Sequence, residues 1–200
     1  KIAFQIGLQA GLRESECFAL TWSDIDFEKK KIKVCKQLLY QDKQWCFAPL
    51  KTVNSYRSVN ITAEFAQYLA DMKMQHDAER KLYGDGYKRN FVTDRREPKK
   101  EKVIEVPDFI NVKANGEMLT TNGAKFLARI IKKDLGIHFK FHNLRHTYAT
   151  VLAENGLNPR YVQEMLGHSK LEFTLRYYTH ITEKMSDAAE NALTAAFRFD

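Results

Sequence analysis

The chain has 200 residues, 44% of them hydrophobic and 28% charged, and a formal net charge of +7. That balance fits one ordinary globular domain and argues against wholesale disorder, and no run approaches the roughly 18 apolar residues of a membrane-spanning helix. The cysteines, Cys17, Cys35 and Cys46, are odd in number and lack metal-ligand spacing, which argues against a disulfide scaffold or a zinc knuckle and for a reducing compartment.

The sequence opens with Lys1 and not Met, in what reads as mid-helix, so it is expected to be a piece of a longer protein. Residues 1–22 read as helical, broken at Gly11, with Ser15 capping a short helix that carries Phe18, Ala19 and Leu20. Ser23-Asp24-Ile25-Asp26 reads as a turn. Residues 31–39 begin with strict alternation of Lys and apolar residues, the pattern of a half-buried strand. With two further strands at 44–48 and 56–61 they predict a small three-stranded antiparallel sheet.

A helix from about Thr62 to Glu79 follows, with Phe65, Leu69, Met72 and His76 recurring every three or four residues. From Leu82 to Val106 the pattern dissolves. Residues 88–102 hold seven Lys or Arg against three Asp or Glu and read as a mobile basic loop. A short strand near Asp108–Val112 and a turn at Asn115-Gly116 lead to a helix from Thr120 or Thr121 to about Leu135, stopped by Gly136. The last third is helical in short pieces: 143–155, 159–166 behind an Asn158 cap and Pro159, and about 170–178. The tail, 183–197, places Ala188, Leu193, Ala196 and Phe197 on helical spacing. The fold class is therefore mainly α with a small antiparallel sheet.

The residues that carry chemistry lie in the last third. On a helix His142, Arg145 and His146 share an arc of about 100°, while Leu144, Tyr148, Val151 and Leu152 point the other way, toward a core. A guanidinium offers a fork of donors suited to phosphate oxygens, and imidazole moves protons near neutral pH. The rival readings are a solvated charged face and a zinc site on His142 and His146, although Arg145 between them would repel a cation. His168 follows the helix-ending Gly167, and Tyr177-Tyr178 lie nine and ten residues further on. A phenol has a pKa near 10 and needs neighbouring cations to act as a nucleophile; core packing is the rival reading for both tyrosines.

Four segments together resemble the tyrosine recombinases, the phage-integrase family. Gly11-Leu12-Arg13-Glu14-Ser15-Glu16, with Trp22-Ser23-Asp24-Ile25 behind it, resembles the first arginine box. Pro49-Leu50-Lys51-Thr52, with Ser55 and Arg57, resembles the β-hairpin lysine segment. His142-Asn143-Leu144-Arg145-His146-Thr147 looks like the HxLRHT box, and Leu166-Gly167-His168-Ser169 followed by Thr174 to Ile181 looks like the last box.

The resemblance implies the catalytic-domain fold of that family over residues 1–182, and a helical tail, 183–200, that docks either on its own domain or on a neighbouring subunit. The family's N-terminal DNA-binding domains are expected to be absent from this piece. It implies that Arg13 and Arg145 clamp a scissile phosphate, that Lys51 protonates the leaving 5′ oxygen, and that His142 and His168 assist proton transfer. Lys36, Lys43 and Lys140 are rivals for the role of Lys51. Tyr178 would attack phosphorus; it is followed, as the family tyrosine usually is, by a small residue, His and an apolar residue. Glu16 is expected as a buried partner of the arginine region and His146 as a supporting group. Lys88, Arg89, Arg95, Arg96, Lys99 and Lys100 are candidate DNA contacts. The implied activity is metal-free and cofactor-free cleavage and rejoining of duplex DNA by a tetramer of chains in a bacterial cytoplasm, without a membrane. Its alternatives are a type IB topoisomerase-like nicking-closing enzyme and a non-catalytic DNA-binding relative.

Overall fold

Helix α1 (Ile2–Ala10) ends at Gly11, whose φ of +63° is left-handed and whose absent Cβ would lie 2.3 Å from the Tyr148 ring. This computed structural model describes residues 2–178, residue 190 and residues 193–196. Helix α2 (Glu14–Ala19) starts before the Ser15 cap that the sequence predicts. Its cap is Arg13, whose backbone N–H donates to the Glu16 carboxylate at 2.9 Å, while the Ser15 hydroxyl reaches Gln37 instead.

A single 3₁₀ turn (Trp22–Asp24) and the two-residue strand β1 (Ile25–Asp26) replace the predicted turn. The run 31–39 is not one strand. It divides into β2 (Lys31–Val34) and β3 (Gln37–Gln41), which enter different sheets. The physical reason is Lys36. The alternation that turns Ile32 and Val34 inward turns Lys36 inward too, and its ammonium ion pairs with the equally buried Asp24 and donates to Thr21.

Strand β4 (Gln44–Ala48) pairs with β3 through the two-residue turn Asp42-Lys43, both at positive φ as a hairpin turn of that length prefers. Strand β5 (Arg57–Asn60) pairs with β2, so that Ile32 faces Val59 and Val34 faces Arg57. The three-stranded antiparallel sheet is thus β1-β2-β5, not the three strands predicted.

Helix α3 (Ala63–Tyr83) is capped by Thr62, which accepts from Phe65 N–H at 3.1 Å. The segment read as a mobile basic loop contains strands β6 (Phe91–Asp94) and β7 (Lys102–Glu105). They complete a second, four-stranded sheet in the order β3-β4-β6-β7, in which β4 and β6 are parallel. Alternation is weak there because the strands are four residues long and β7 lies on the sheet edge, with Phe91 and Val103 exposed. The expected strand near 108–112 consists of two isolated bridges, Thr21 to Phe109 and Val112 to Met118.

The remaining helices, α4 (Thr121–Leu135), α5 (His142–Glu154), α6 (Pro159–Leu166) and the short α7 (Leu171–Leu175), follow the sequence reading closely, although α7 ends before 178. Helix α5 is rotated from its expected pose. Arg145, Ala149 and Ala153 form its buried stripe, and Val151 is exposed. The core joins both sheets to α1 and α5 through Phe4, Phe18 and Phe141, whose rings lie 5.2–6.1 Å apart. Most of the tail 183–197, with its predicted apolar stripe and docking, lies outside the described residues. No helix among those described is long and apolar enough to cross a membrane.

The buried Lys36–Asp24 pair yields a stability prediction. Lys36→Ala leaves Asp24 buried without its cation and should cost about 3–5 kcal/mol in urea unfolding. The double change Lys36→Met with Asp24→Asn should recover part of that loss.

Candidate active site

Three arginines, far apart in sequence, converge on the C-terminal end of α6. Arg57 Nε donates to Met165 O at 2.8 Å, Arg145 Nη2 donates to Leu166 O, and Arg13 Nη2 donates to Gly167 O at 3.1 Å. The last carbonyls of a helix lack intrahelical partners and carry the negative end of its dipole, so cations are favoured there. Gly167 makes the approach possible. Its φ is +66°, and a Cβ would lie 2.9 Å from Asn54 O and 3.2 Å from the Arg57 side chain.

Glu16 fixes the same arginines from the other side. Its carboxylate accepts from Arg13 Nη1 at 2.8 Å and from Arg57 Nη2 at 2.9 Å. Glu16 is 2% exposed and lies between these two guanidiniums. Burial alone would raise its carboxyl, but Arg57 and Arg13 together hold it down to about 2. Arg145 spends a second donor on Gly11 O at 2.7 Å, and among the described residues it has no carboxylate of its own and its buried Nε no partner. Burial, with Arg13 and Arg57 alongside, pulls it down to about 9, so it stays charged at neutral pH. The helical wheel put Arg145 on an exposed face with the two histidines; it is 1% exposed. Arg57 was quoted in the lysine segment but given no role. Alternation did carry a signal, because Arg57 shares a strand face with the fully buried Val59.

The histidines border the arginines. His142 and His146 lie edge to face, 4.4 Å between centroids. His168 shares a hydrogen bond between Nδ1 and the buried Thr174 hydroxyl at 3.0 Å. Burial drives His168 down to about 3, helped by Arg145, Arg13 and Arg57, and burial followed by His146 lowers His142. Both imidazoles are neutral at pH 7. A cleft of about 500 Å³ opens between α5 and α7, lined by His142, His146, His168, Arg176 and Tyr177.

The tyrosines divide. Tyr177 turns into this cleft, 5.3 Å from His146 and stacked 6.4 Å from His168. Tyr178 points away and donates its hydroxyl to Leu157 O. Lys51 is exposed on the connection from β4 to β5 and lines neither this cleft nor the one beside it. Among its rivals, Lys36 is locked in its ion pair, Lys43 sits in the β3–β4 turn, and Lys140 lines the neighbouring cleft.

The basic segment is more neutral than its composition implies. Arg89 pairs with Glu105, Arg95 with Asp42 and Glu101, Arg96 with Asp94, and Lys100 with Glu97, all at 2.5–3.0 Å. Lys88 and Lys99 are exposed. Among the described residues no group of three or more His, Cys, Asp or Glu is placed to hold a metal ion.

Residues 1–185 match the sequence model of the phage integrase family. The chain is 30% identical over 206 residues to the tyrosine recombinase XerC-like protein of Caldanaerobacter subterraneus subsp. tengcongensis, covering 98% of this chain and 49% of that protein. It is 29% identical over 182 residues to the transposase of transposon Tn916 from Enterococcus faecalis, covering 88% of this chain and 40% of that protein. The chain thus spans about half the length, or less, of these relatives. In structure it resembles the Tn1549 transposon integrase in complex with transposon right-end DNA, with a TM-score of 0.72, 28% identity, and coverage of 96% of this chain and 58% of that one.

The Glu16 cluster sets a pH dependence. A folded-state pKa of about 2 lies below the ordinary 4.5, so the ionised carboxylate stabilises the folded chain. That contribution is complete above pH 4.5 and is lost as pH falls toward 2. Glu16→Gln should cost about 3–5 kcal/mol at neutral pH and should flatten the decline of the urea midpoint across that acid window.

Proposed function

The chain belongs to the phage integrase family, and on that premise we propose that it is the strand-cleaving unit of a site-specific recombinase that breaks and rejoins duplex DNA through a 3′-phosphotyrosyl intermediate. The observation that carries this reading is the convergence of Arg13, Arg57 and Arg145 on the end of α6, with the single carboxylate of Glu16 between Arg13 and Arg57, beside two neutral histidines. Three cations against one anion leave a fixed positive site. A phosphodiester, and more so its pentavalent transition state, supplies the missing negative charge. Donors already held in place stabilise that charge without a metal and without reorganising.

In the proposed step the Tyr178 oxygen bonds to phosphorus and the bond from phosphorus to the 5′ oxygen breaks. The phenolic proton passes to a neutral imidazole, His168 or His142. The leaving 5′ oxygen takes a proton from Lys51, which requires the β4–β5 connection to close over the bound strand. Religation runs the same step backward with the hydroxyl of another strand, so the bond energy is retained without ATP. Arg13 and Arg145 bind the non-bridging oxygens, Arg57 and Glu16 position them, and His146 supports the His142 ring. The active unit spans residues 1–182, and four chains act together on two duplexes. The ion-paired cations of 88–102 serve only as outlying DNA contacts. Surface pairs of that kind are worth about 0–1 kcal/mol, so a phosphate can displace their partners.

A second reading of the nucleophile has its own support. Tyr177 is the tyrosine in the cleft, whereas Tyr178 is held on Leu157. The motif that follows Tyr178 favours Tyr178, and the two readings separate cleanly. On a nicked suicide duplex in the presence of a chelator, the wild-type chain should form a covalent adduct that maps to Tyr178. Tyr178→Phe should abolish it and Tyr177→Phe should retain it; an adduct with the opposite behaviour overturns the assignment. Arg13→Ala, at a side chain one-third exposed and with Arg57 still paired to Glu16, should lose some stability but stay folded, and should lower the adduct rate by about 10²–10³, the loss typical of one preorganised donor.

A further inference from the structure

A second cleft, of about 660 Å³, opens on the other side of His142, which lines both, and Arg13 lines this one. Its floor is Leu38, Leu39 and Phe141, and one wall is the Tyr40–Trp45 pair, with rings 5.1 Å apart. The facing wall carries Lys125 from the start of α4 and Lys140 from the turn into α5, where Lys140 O accepts from Asn143 N–H at 2.9 Å. Both lysines are exposed, and neither is used by the fold or by the proposed step. Glu14 is the one acidic residue lining the cleft, and burial raises its carboxyl although Lys125 draws it back.

The ligand chemistry follows from continuity. A DNA strand does not stop at the phosphate that reacts; its next phosphate lies about 3.4 Å further along the helix axis. His142 lines both clefts and Arg13 lines the second, so a strand whose reacting phosphate sits on them can run on into the second. The first cleft is lined by three histidines and Tyr177, with one cation, Arg176, against one carboxylate, Glu154. The second presents two lysines and Arg13 against one carboxylate, beside an aromatic wall able to face a sugar or a base.

Resting on the recombinase reading above, we propose that this second cleft is a subsite for the phosphodiester adjoining the scissile one on the same strand, with Lys125 and Lys140 as its positioning cations. It sets the register of the strand over Arg13. It also gives Lys140 a role other than that of a proton donor to the leaving oxygen.

The test uses the chain with a cognate or suicide duplex. Lys125→Ala and Lys140→Ala should each lower affinity and reduce the slope of log affinity against log salt by about 0.9. The loss should appear as a higher DNA concentration for half-maximal adduct formation. Glu14→Gln should tighten binding. Replacing single phosphates next to the cleavage site by neutral methylphosphonates then locates the contact. One adjoining position should weaken wild-type binding but have little further effect on the double lysine variant. Equal penalties in wild type and variant at every adjoining position would overturn the subsite. So would a Lys140→Ala defect in rate at saturating DNA that a sulfur-bridged 5′ leaving group repairs, because Lys140 would then be the proton donor. If the wild type binds duplex with these salt slopes but never forms an adduct, the cleavage reading fails and the subsite stands. If it binds no duplex, both fall.

Discussion

The end of helix α6 is the point on which the rest of the structure hangs. Three successive carbonyls, of Met165, Leu166 and Gly167, have lost their helical partners, and each receives a guanidinium from a different part of the chain. An unmatched buried carbonyl costs about 1–3 kcal/mol, so these contacts bind β5, α5 and the start of α2 to one helix terminus. Glu16 closes the arrangement by holding Arg13 and Arg57 together. Arg13, which lines the second cleft, and the buried Arg57 and Arg145 beside it are therefore also the struts of the fold. Their orientation is fixed by backbone atoms and does not await a ligand.

That arrangement leaves a charge imbalance, and the imbalance has a direction. Desolvation followed by the neighbouring arginines depresses both Arg145 and His168, yet only the histidine loses its proton at neutral pH. The empty site thus holds fixed positive charge next to neutral imidazoles. Under the proposed function, an arriving phosphodiester reverses part of the field that the histidines feel. It pairs with the guanidiniums and raises the imidazole pKa values, so that proton acceptance becomes easier once substrate is bound. A base that is weak without substrate and stronger with it is a consequence of burying cations and imidazoles in one place.

Much of this was legible in the sequence, and the gaps have physical causes. Gly11, Gly136, Asn158-Pro159 and Gly167 punctuate the helices as read, because backbone conformation at such residues is decided locally. Arg13, Glu16, His142, Arg145 and His168 do come together. The strand run 31–39 was misread because alternation shows which way a residue faces and not which sheet it joins; Lys36 marks the break only once Asp24 is known to receive it. Strands β6 and β7 were hidden by charge, since the cations that flank them pair with acids of the β3–β4 turn and of the strands' own ends and connection, a tertiary property. Arg145 was placed on the wrong face because a helical wheel gives relative angles, and the buried side had to be guessed. The small residues Ala149 and Ala153 mark it better than Leu144 or Val151 does.

The adjacent tyrosines show how small the remaining energy difference is. Neighbouring positions on a helical turn point about 100° apart, so one of the pair must face away from the cleft at any moment. Tyr178 is held away by a hydrogen bond to Leu157 O, and Tyr177 occupies the cleft by ring contacts with His146 and His168. A hydrogen bond of that kind contributes about 1 kcal/mol net, which amounts to roughly a fivefold population bias at 25 °C. A bound phosphate that interacts with one tyrosine and not the other needs only a comparable difference to reverse it. The turn at residues 176–178 follows a five-residue helix, while the arginines at the end of α6 are each held on a backbone carbonyl. Under the proposed chemistry the domain keeps its electrostatics rigid and leaves its nucleophile adjustable, so commitment to cleavage follows the seating of the strand.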